Sequence, residues 1–351
     1  MTLTAPRVAE LWYTRCPVPT ASSLAIAQGW LDDEFAADGI AVASLRASAD
    51  PAVRESHFDH TQAASFRQGG NIPPIWTRSR GADVRLIGLS WAEQYQAIVT
   101  VRGSGIDGPE DLKGRRLALA RRVNDQIDFW HATALRGYDS TLRHVGLGLD
   151  DVELVDLPVE EGYLPRDATS RSGSLFGAYT NRRLQSAEVL ALIRGEVDAI
   201  YVAGGRGPDL EALLDVDVVF DIAGQDDPEL KINNITPAAL TVSGALLDER
   251  PDLVTRYVAA TLGAARWAAE HPAETRRIIA HEVGIAEDFV EPGYPRAIHA
   301  HLEPTLDEDL VAAIESQQRF LLEHGYIDAG FDVRAWIDAG PLAAARELVE
   351  R

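Results

Sequence analysis

Asp111-Leu112-Lys113-Gly114-Arg115-Arg116-Leu117 is the stretch on which the reading of the fold turns. Pro109 with Glu110 and Asp111 opens a short helical turn, Gly114 ends it, and an apolar run over Arg116–Ala120 then starts a strand. Working outward, similar runs predict strands at Val8–Tyr13, Val84–Leu89, Val152–Leu157, Ala199–Val202 and Val218–Ile222. Helical segments fit between them, beginning with Ala21–Phe35, which follows Thr20 as an N-cap. Arg250–His271, Glu303–Gly325 and Ala335–Glu350 read as amphipathic helices and make the last third helix-rich, without internal repeats. The alternation is that of an α/β protein with largely parallel sheets.

A chain of 351 residues exceeds what one core usually serves, so two packed lobes with a cleft between them are expected. Polar, glycine and proline residues interrupt the pattern around Thr100–Gly108 and Lys231–Pro237, as two hinge strands would. The expected division is a discontinuous first lobe, 1–103 and 236–351, and an inserted second lobe, 104–235. This order resembles the two-lobed fold of type II periplasmic solute-binding proteins. The opening septet resembles the signature that begins the second lobe there. Leu192-Ile193-Arg194-Gly195-Glu196-Val197-Asp198-Ala199-Ile200-Tyr201 is similar to that superfamily's helix-to-strand passage. Fold alone names no function.

Hydrophobic residues at 46% and charged residues at 25% are ordinary globular values. A formal net charge of −21 would repel nucleic acid and anionic membranes, leaving small molecules or protein partners. An anionic ligand would then need a local positive focus, so an arginine belongs in any such site. No export signal or membrane span is read from the sequence, and a cytoplasmic monomer is expected. Cys16 is the single cysteine, which excludes an intrachain disulfide and any cysteine-rich zinc or iron-sulfur site.

The chemistry concentrates in the first seventy residues. Tyr13-Thr14-Arg15-Cys16-Pro17-Val18-Pro19 puts a thiol at the end of the first predicted strand, where open α/β sheets gather ligands. Ser56-His57-Phe58-Asp59-His60-Thr61-Gln62 and then Phe66-Arg67-Gln68-Gly69-Gly70-Asn71-Ile72-Pro73-Pro74 follow. A histidine beside a thiol can poise its ionisation, a guanidinium can grip a sulfinate with two parallel hydrogen bonds, and glycine lets the backbone approach closely. The bland alternative makes Cys16 an inert core residue, His57 a satisfied polar group and Arg67 a surface charge. His57 and His60 could also share a metal on one helix, but no carboxylate or cysteine pattern completes such a site.

Tyr13-x-x-Cys16-Pro17-Val18-Pro19, His57-Phe58 and Arg67-x-Gly69-Gly70-x-Ile72-Pro73-Pro74 together resemble the 2'-hydroxybiphenyl-2-sulfinate desulfinase family. Leu147–Val155, Thr241-Val242-Ser243 and Gln317–Leu322 extend the resemblance over nearly the whole chain. It implies a catalytic role for Cys16, His57 and Arg67, with Arg67 binding the sulfinate and the Gly70 backbone supporting the site. It also implies an aromatic sulfinate substrate, water as co-reactant, sulfite as product, and no metal or redox cofactor. Whether Cys16 serves as general acid or nucleophile is open. Thr14 and Arg15 stand where the family has serine and asparagine, and His60 where it has tyrosine. The stretch between Cys16 and His57 is several residues longer here, and 121–142 matches poorly. Thr14, Phe58, Trp130 and Phe176 are the candidate substrate contacts, the last two as aromatic walls. Two rivals share the fold: a solute-binding protein for a sulfonate or pyrimidine, and an enzyme of thiamine pyrimidine synthesis. The latter would need a cofactor lysine and a cysteine- and histidine-rich iron motif.

Overall fold

Alternating apolar runs in the first ninety residues build a sheet that receives one strand from much later in the chain. The computed structural model describes residues 7–164, 185–294 and 297–350. In it, β1 (Glu10–Arg15) lies between β2 (Ala41–Ser44) and β3 (Ser65–Gly69), all parallel. The sheet ends in β4 (Val84–Ser90), and β10 (Ala238–Ser243) slots antiparallel between β3 and β4. Every residue of β3 and β10 is buried. Helices cover both faces of such a sheet, which suits the largely apolar β10, whereas β3 carries buried Ser65, Arg67 and Gln68.

The second body of sheet is built by β5 (Gln96–Val101), β6 (Arg116–Arg122), β7 (Glu153–Val159), β8 (Ile200–Ala203) and β9 (Val216–Asp221). β8, β5 and β9 pair antiparallel, β6 and β7 pair parallel, and a parallel bridge from Leu117 to Ala199 links the two groups. The largely parallel arrangement expected therefore holds among β1, β2 and β3 and between β6 and β7, but not around β10 or β5. Gln96–Val101 is a central strand bonded on both sides, not the approach to a hinge. The chain thus passes from the first sheet to the second between Ser90 and Gln96, upstream of the boundary expected at 103/104. The return runs from Asp221 to Ala238.

The two passages are fastened to each other. Lys231 Nζ lies 2.8 Å from Glu93 Oε1 with both side chains buried, and Gln96 Nε2 donates to the Lys231 carbonyl at 2.8 Å. Buried partners of opposite charge satisfy each other's desolvated groups, so this contact fixes where the passages meet. A cis peptide joins Thr236 to Pro237.

Local rules explain the other departures. The helix expected over Ala21–Phe35 is two, Ala21–Ala27 and Trp30–Ala36, because Gly29 takes a left-handed conformation (φ 77°) between them. Thr20 caps the first as expected, accepting from the Ser23 amide at 3.2 Å. The helix placed at Glu303–Gly325 runs only over Glu308–Glu323, since Thr305 bridges back to Leu89. Ala335–Glu350 is likewise broken, into Val333–Trp336 and Gly340–Val349, and Trp336 is fully buried with its indole donating to the Val84 carbonyl. The long helix Pro251–Glu270 matches its expected span closely. Among the described residues, no helix is long and apolar enough to cross a membrane.

Candidate active site

Because β1 and β3 are parallel neighbours with Thr14 opposite Arg67, the residues that follow them emerge side by side at one sheet end. Cys16 comes immediately after β1, and it is 8% exposed. Arg67 points out of β3 with its Nη2 3.9 Å from Cys16 Sγ, while Nη1 donates to the Gly70 carbonyl. The guanidinium therefore spans a thiol and a backbone oxygen, which fixes its plane. Gly69 is the residue that makes room: a Cβ there would sit 2.6 Å from Cys16 Sγ. A Cβ on Gly70 would instead strike the Asn234 side chain, 2.4 Å away. Asn234 is committed there, because its Oδ1 accepts from the Ile72 amide at 3.0 Å and its carbonyl from the Asn71 amide at 2.6 Å. Asn71 Nδ2 in turn donates to the carbonyls of Asn233 and Pro237. The glycine turn of the first sheet is thus tied to the returning passage.

His57 is carried by the helix Pro51–Asp59, which Asp50 caps by accepting from the Ala52 amide at 2.9 Å. The buried face of this helix is polar, Arg54, Ser56 and His57 beside Phe58, and such a face is costly without a purpose. The His57 ring meets Phe58 edge-on at 4.9 Å and lies 5.4 Å from the Tyr163 ring at a 33° tilt. Its Nδ1 is buried with no hydrogen-bond partner among the described residues. Burial first, and then the positive charges of Arg46 and Arg67, hold its pKa well below the ordinary value, so the ring is a neutral imidazole. His60 ends the helix in a left-handed conformation (φ 53°) and is likewise held neutral, by burial and Arg67. It therefore leaves the helical face that a shared His57–His60 metal site would need, and no group of three or more histidine, cysteine, aspartate or glutamate residues suited to a metal occurs among the described residues.

The opposite side of the cavity comes from the second sheet and its connections. Phe129, Trp130 and Thr133 project from the helix Phe129–His144, and Tyr163, Gln185 and Ala203–Gly205 complete that side. The cavity they enclose has a volume of about 80 Å³. Trp130 Nε1 donates to Glu188 Oε1 at 2.6 Å, and burial pushes that carboxyl up to about 7 although the indole pulls the other way. Tyr163 is pushed up to about 12 by burial, against the pull of Arg46, and keeps its phenolic proton.

Cys16, His57, Arg67, Gly70 and Trp130 all line this one cavity. Thr14 and Phe58 do not: Thr14 is 4% exposed within the sheet beside Arg67, and Phe58 is 1% exposed in the aromatic packing behind His57. Phe176 lies outside the described residues. The sequence reading missed Tyr163, Gln185, Gly69 and Arg46. Gly69 was within reach, since a glycine pair after the arginine offers two candidates and only the strand register says which faces Cys16. The others stand alone between ordinary segments, and their only signal is proximity after folding.

Residues 20–161 match the family model described as NMT1/THI5 like. Over 345 residues the chain is 30% identical to 2'-hydroxybiphenyl-2-sulfinate desulfinase of Rhodococcus erythropolis, covering 93% of this chain and 90% of the relative. The crystal structure of desulfurization enzyme DSZB superposes with a TM-score of 0.76 at 27% identity, covering 98% of this chain and all of that one (100%). A cysteine-to-serine mutant of DSZB in complex with biphenyl-2-sulfinic acid gives a TM-score of 0.74 at 26% identity over 97% of this chain and 99% of that one. A putative periplasmic sulfonate-binding protein from Methylobacillus flagellatus KT gives 0.72 at 17% identity, covering 99% and 96%, a likeness of fold alone. The architecture is thus the two-lobed α/β fold of periplasmic binding proteins, and the chain belongs to the 2'-hydroxybiphenyl-2-sulfinate desulfinase family.

Proposed function

We propose that the protein is a hydrolase that cleaves the carbon-sulfur bond of an aromatic sulfinate, 2'-hydroxybiphenyl-2-sulfinate or a close relative, with Cys16, His57 and Arg67 as its catalytic residues. The observation that carries this reading is the approach of Arg67 Nη2 to within 3.9 Å of Cys16 Sγ inside a buried, largely apolar cavity. Water adds to the sulfinate as Ar–SO2⁻ + H2O → Ar–H + HSO3⁻, a balance that calls for no oxidant or reductant.

Arg67, held by the Gly70 carbonyl, presents its remaining donors to the sulfinate oxygens next to the thiol. Exclusion of water strengthens that contact. Cys16 then either protonates the ring carbon that bears sulfur, so that the carbon-sulfur bond breaks and water adds to the sulfur dioxide set free, or, as thiolate, attacks sulfur, the aryl carbon leaving with a proton and water then releasing the sulfur from Cys16 as sulfite. In the first route a neutral His57 leaves the proton on the thiol, and in the second it takes that proton and returns it to the ring carbon as the carbon-sulfur bond breaks. Phe129, Trp130 and Tyr163 offer flat apolar surface to the aryl group. The first sheet would supply the chemistry as one lobe and the second sheet the other side of the cleft.

Replacing Cys16 by serine tests this. The Cys16→Ser protein is expected to bind biphenyl-2-sulfinate with near-normal affinity by calorimetry and to release at least about 1,000-fold less sulfite than the wild type, as loss of a nucleophile or proton donor requires. A wild-type protein that binds sulfonates and releases no sulfite from any aryl sulfinate would make it a solute binder instead.

A further inference from the structure

Behind the cavity wall stands a second buried guanidinium. Arg46 follows β2 in the 3-10 turn Leu45–Ala47 and is 4% exposed. Its guanidinium carbon lies 4.9 Å from the centroid of the Tyr163 ring, the distance of a cation–π contact. The same ring lies 5.4 Å from His57 and meets Phe129 edge-on at 5.0 Å. Arg46, Tyr163 and His57 therefore form a layered series at the sheet end where Cys16 also emerges, since β2 runs parallel to β1. Tyr163 and His57 line the cavity, whereas Arg46 is set back from it.

The charges around His57 are few and can be named. Arg46 and Arg67 both oppose its protonation, Arg46 the more strongly. Cys16 lies on the same cavity, and it and Tyr163 both attract Arg46 and Arg67 when ionised. Burying a guanidinium costs free energy, and burial weakens its hold on its own proton, so a purely space-filling residue at this position would be better apolar. What a cation contributes here that a methionine would not is a positive field reaching His57 and the thiol through low-dielectric packing.

We infer that Arg46 is a positioning residue of the desulfinase site, which sets the face of His57 through the Tyr163 ring and makes the rear of the cavity electropositive, so that Arg67 can be devoted to the sulfinate. The inference rests on the sulfinate reading of this cavity for its catalytic consequence, but not for its effect on His57.

Three proteins test it: wild type, Arg46→Met and Arg46→Lys. Carbon-13 histidine spectra, with His57→Gln to assign the resonance, follow the protonation of His57 without substrate. In Arg46→Met the half-protonation point is expected at least about one pH unit above wild type, as removal of a nearby cation requires, and in Arg46→Lys within about half a unit of wild type. Sulfite release should fall about 10-fold in kcat for Arg46→Met with KM changed less than about threefold, and Arg46→Lys should recover most of it. An unmoved His57 titration in a folded Arg46→Met protein, or an equal displacement in Arg46→Lys, would overturn the inference. If Arg46→Met does not fold, Arg46→Gln carries the same expectations. A wild type that releases no sulfite would sink the desulfinase reading while the His57 titration still decides what Arg46 does.

Discussion

The two sides of the cavity are built by different rules. On the first sheet, Cys16 directly follows β1, Arg67 lies within its parallel neighbour β3 with Gly70 just beyond it, and His57 comes from the helix that leads into β3. Their positions follow from strand register and from backbone bonds such as that between Arg67 and the Gly70 carbonyl. On the facing side, Phe129, Trp130, Tyr163, Gln185 and Ala203 are contributed by separate stretches of a long insertion. One side is polar, charged and locally encoded; the other is apolar and assembled from a distance. The difference suggests that the first side sets the reaction and the second the choice of aryl group, since a flat apolar surface discriminates by shape and a fixed guanidinium by charge.

The sharpest way to break that division is to alter the charged side without changing its charge. Arg67→Lys retains the cation and loses the planar fork that bonds the Gly70 carbonyl and faces Cys16 Sγ at the same time. Sulfite release is expected to fall by at least about 100-fold for every aryl sulfinate alike, in line with the loss of an oriented charge-assisted contact in a dry site. A folded Arg67→Lys protein with wild-type kinetics would remove Arg67 from the reaction, and a loss confined to some substrates would blur the division between the two sides.

Legibility from sequence followed the same division. The first strand, the glycine turn after Arg67 and the long helix Pro251–Glu270 are local patterns, and they lie where periodicity and turn residues put them. Cys16, His57, Arg67 and Gly70 could be named because short motifs carry them, and they do meet at one cavity. Gln96–Val101 escaped because its polar ends, Gln96 and Thr100, resemble a strand margin until both neighbours are in place, where Gln96 bonds the Lys231 carbonyl and Thr100 the Asp198 carbonyl. Arg46 escaped for a related reason. A single arginine after a short strand reads as surface, and only the fold shows it stacked on a tyrosine more than a hundred positions away.

A smaller effect, and one that sharpens the contrast, is expected at Trp130. Its indole lines the cavity and is held by Glu188, so Trp130→Phe keeps an aromatic face but narrows it and gives up the hydrogen bond. The ratio of kcat/KM for a biaryl sulfinate to that for benzenesulfinate should change by about 10-fold, the scale at which apolar pockets discriminate, with kcat for the smaller substrate little altered. An unchanged ratio would make Trp130 part of the core alone and move selectivity elsewhere on that side.

The smallest effect on turnover is expected one layer behind, at Glu188, where the consequence is for stability. The carboxyl is 2% exposed, its Oε1 accepts from Trp130, and its Oε2 has no hydrogen-bond partner among the described residues. Burial raises its pKa from 4.5 to about 7 in the folded protein. An acid whose folded pKa exceeds its unfolded one favours folding in full below pH 4.5, and the native state alone stays protonated between 4.5 and about 7. Its contribution is therefore lost as pH rises through that window and stays lost above it. Glu188→Gln preserves the shape and the acceptor for Trp130 but cannot ionise. The variant should match the wild type near pH 4.5 and exceed it by up to about 3 kcal/mol at pH 8, the free-energy equivalent of the raised pKa, read as a difference in urea midpoints. Turnover at pH 7 should change less than about twofold, because the indole keeps its acceptor. A stability difference that is the same at pH 5 and pH 8 would mean that Glu188 does not hold its proton in the folded protein, and that the apolar side of the cavity carries a full negative charge behind its tryptophan.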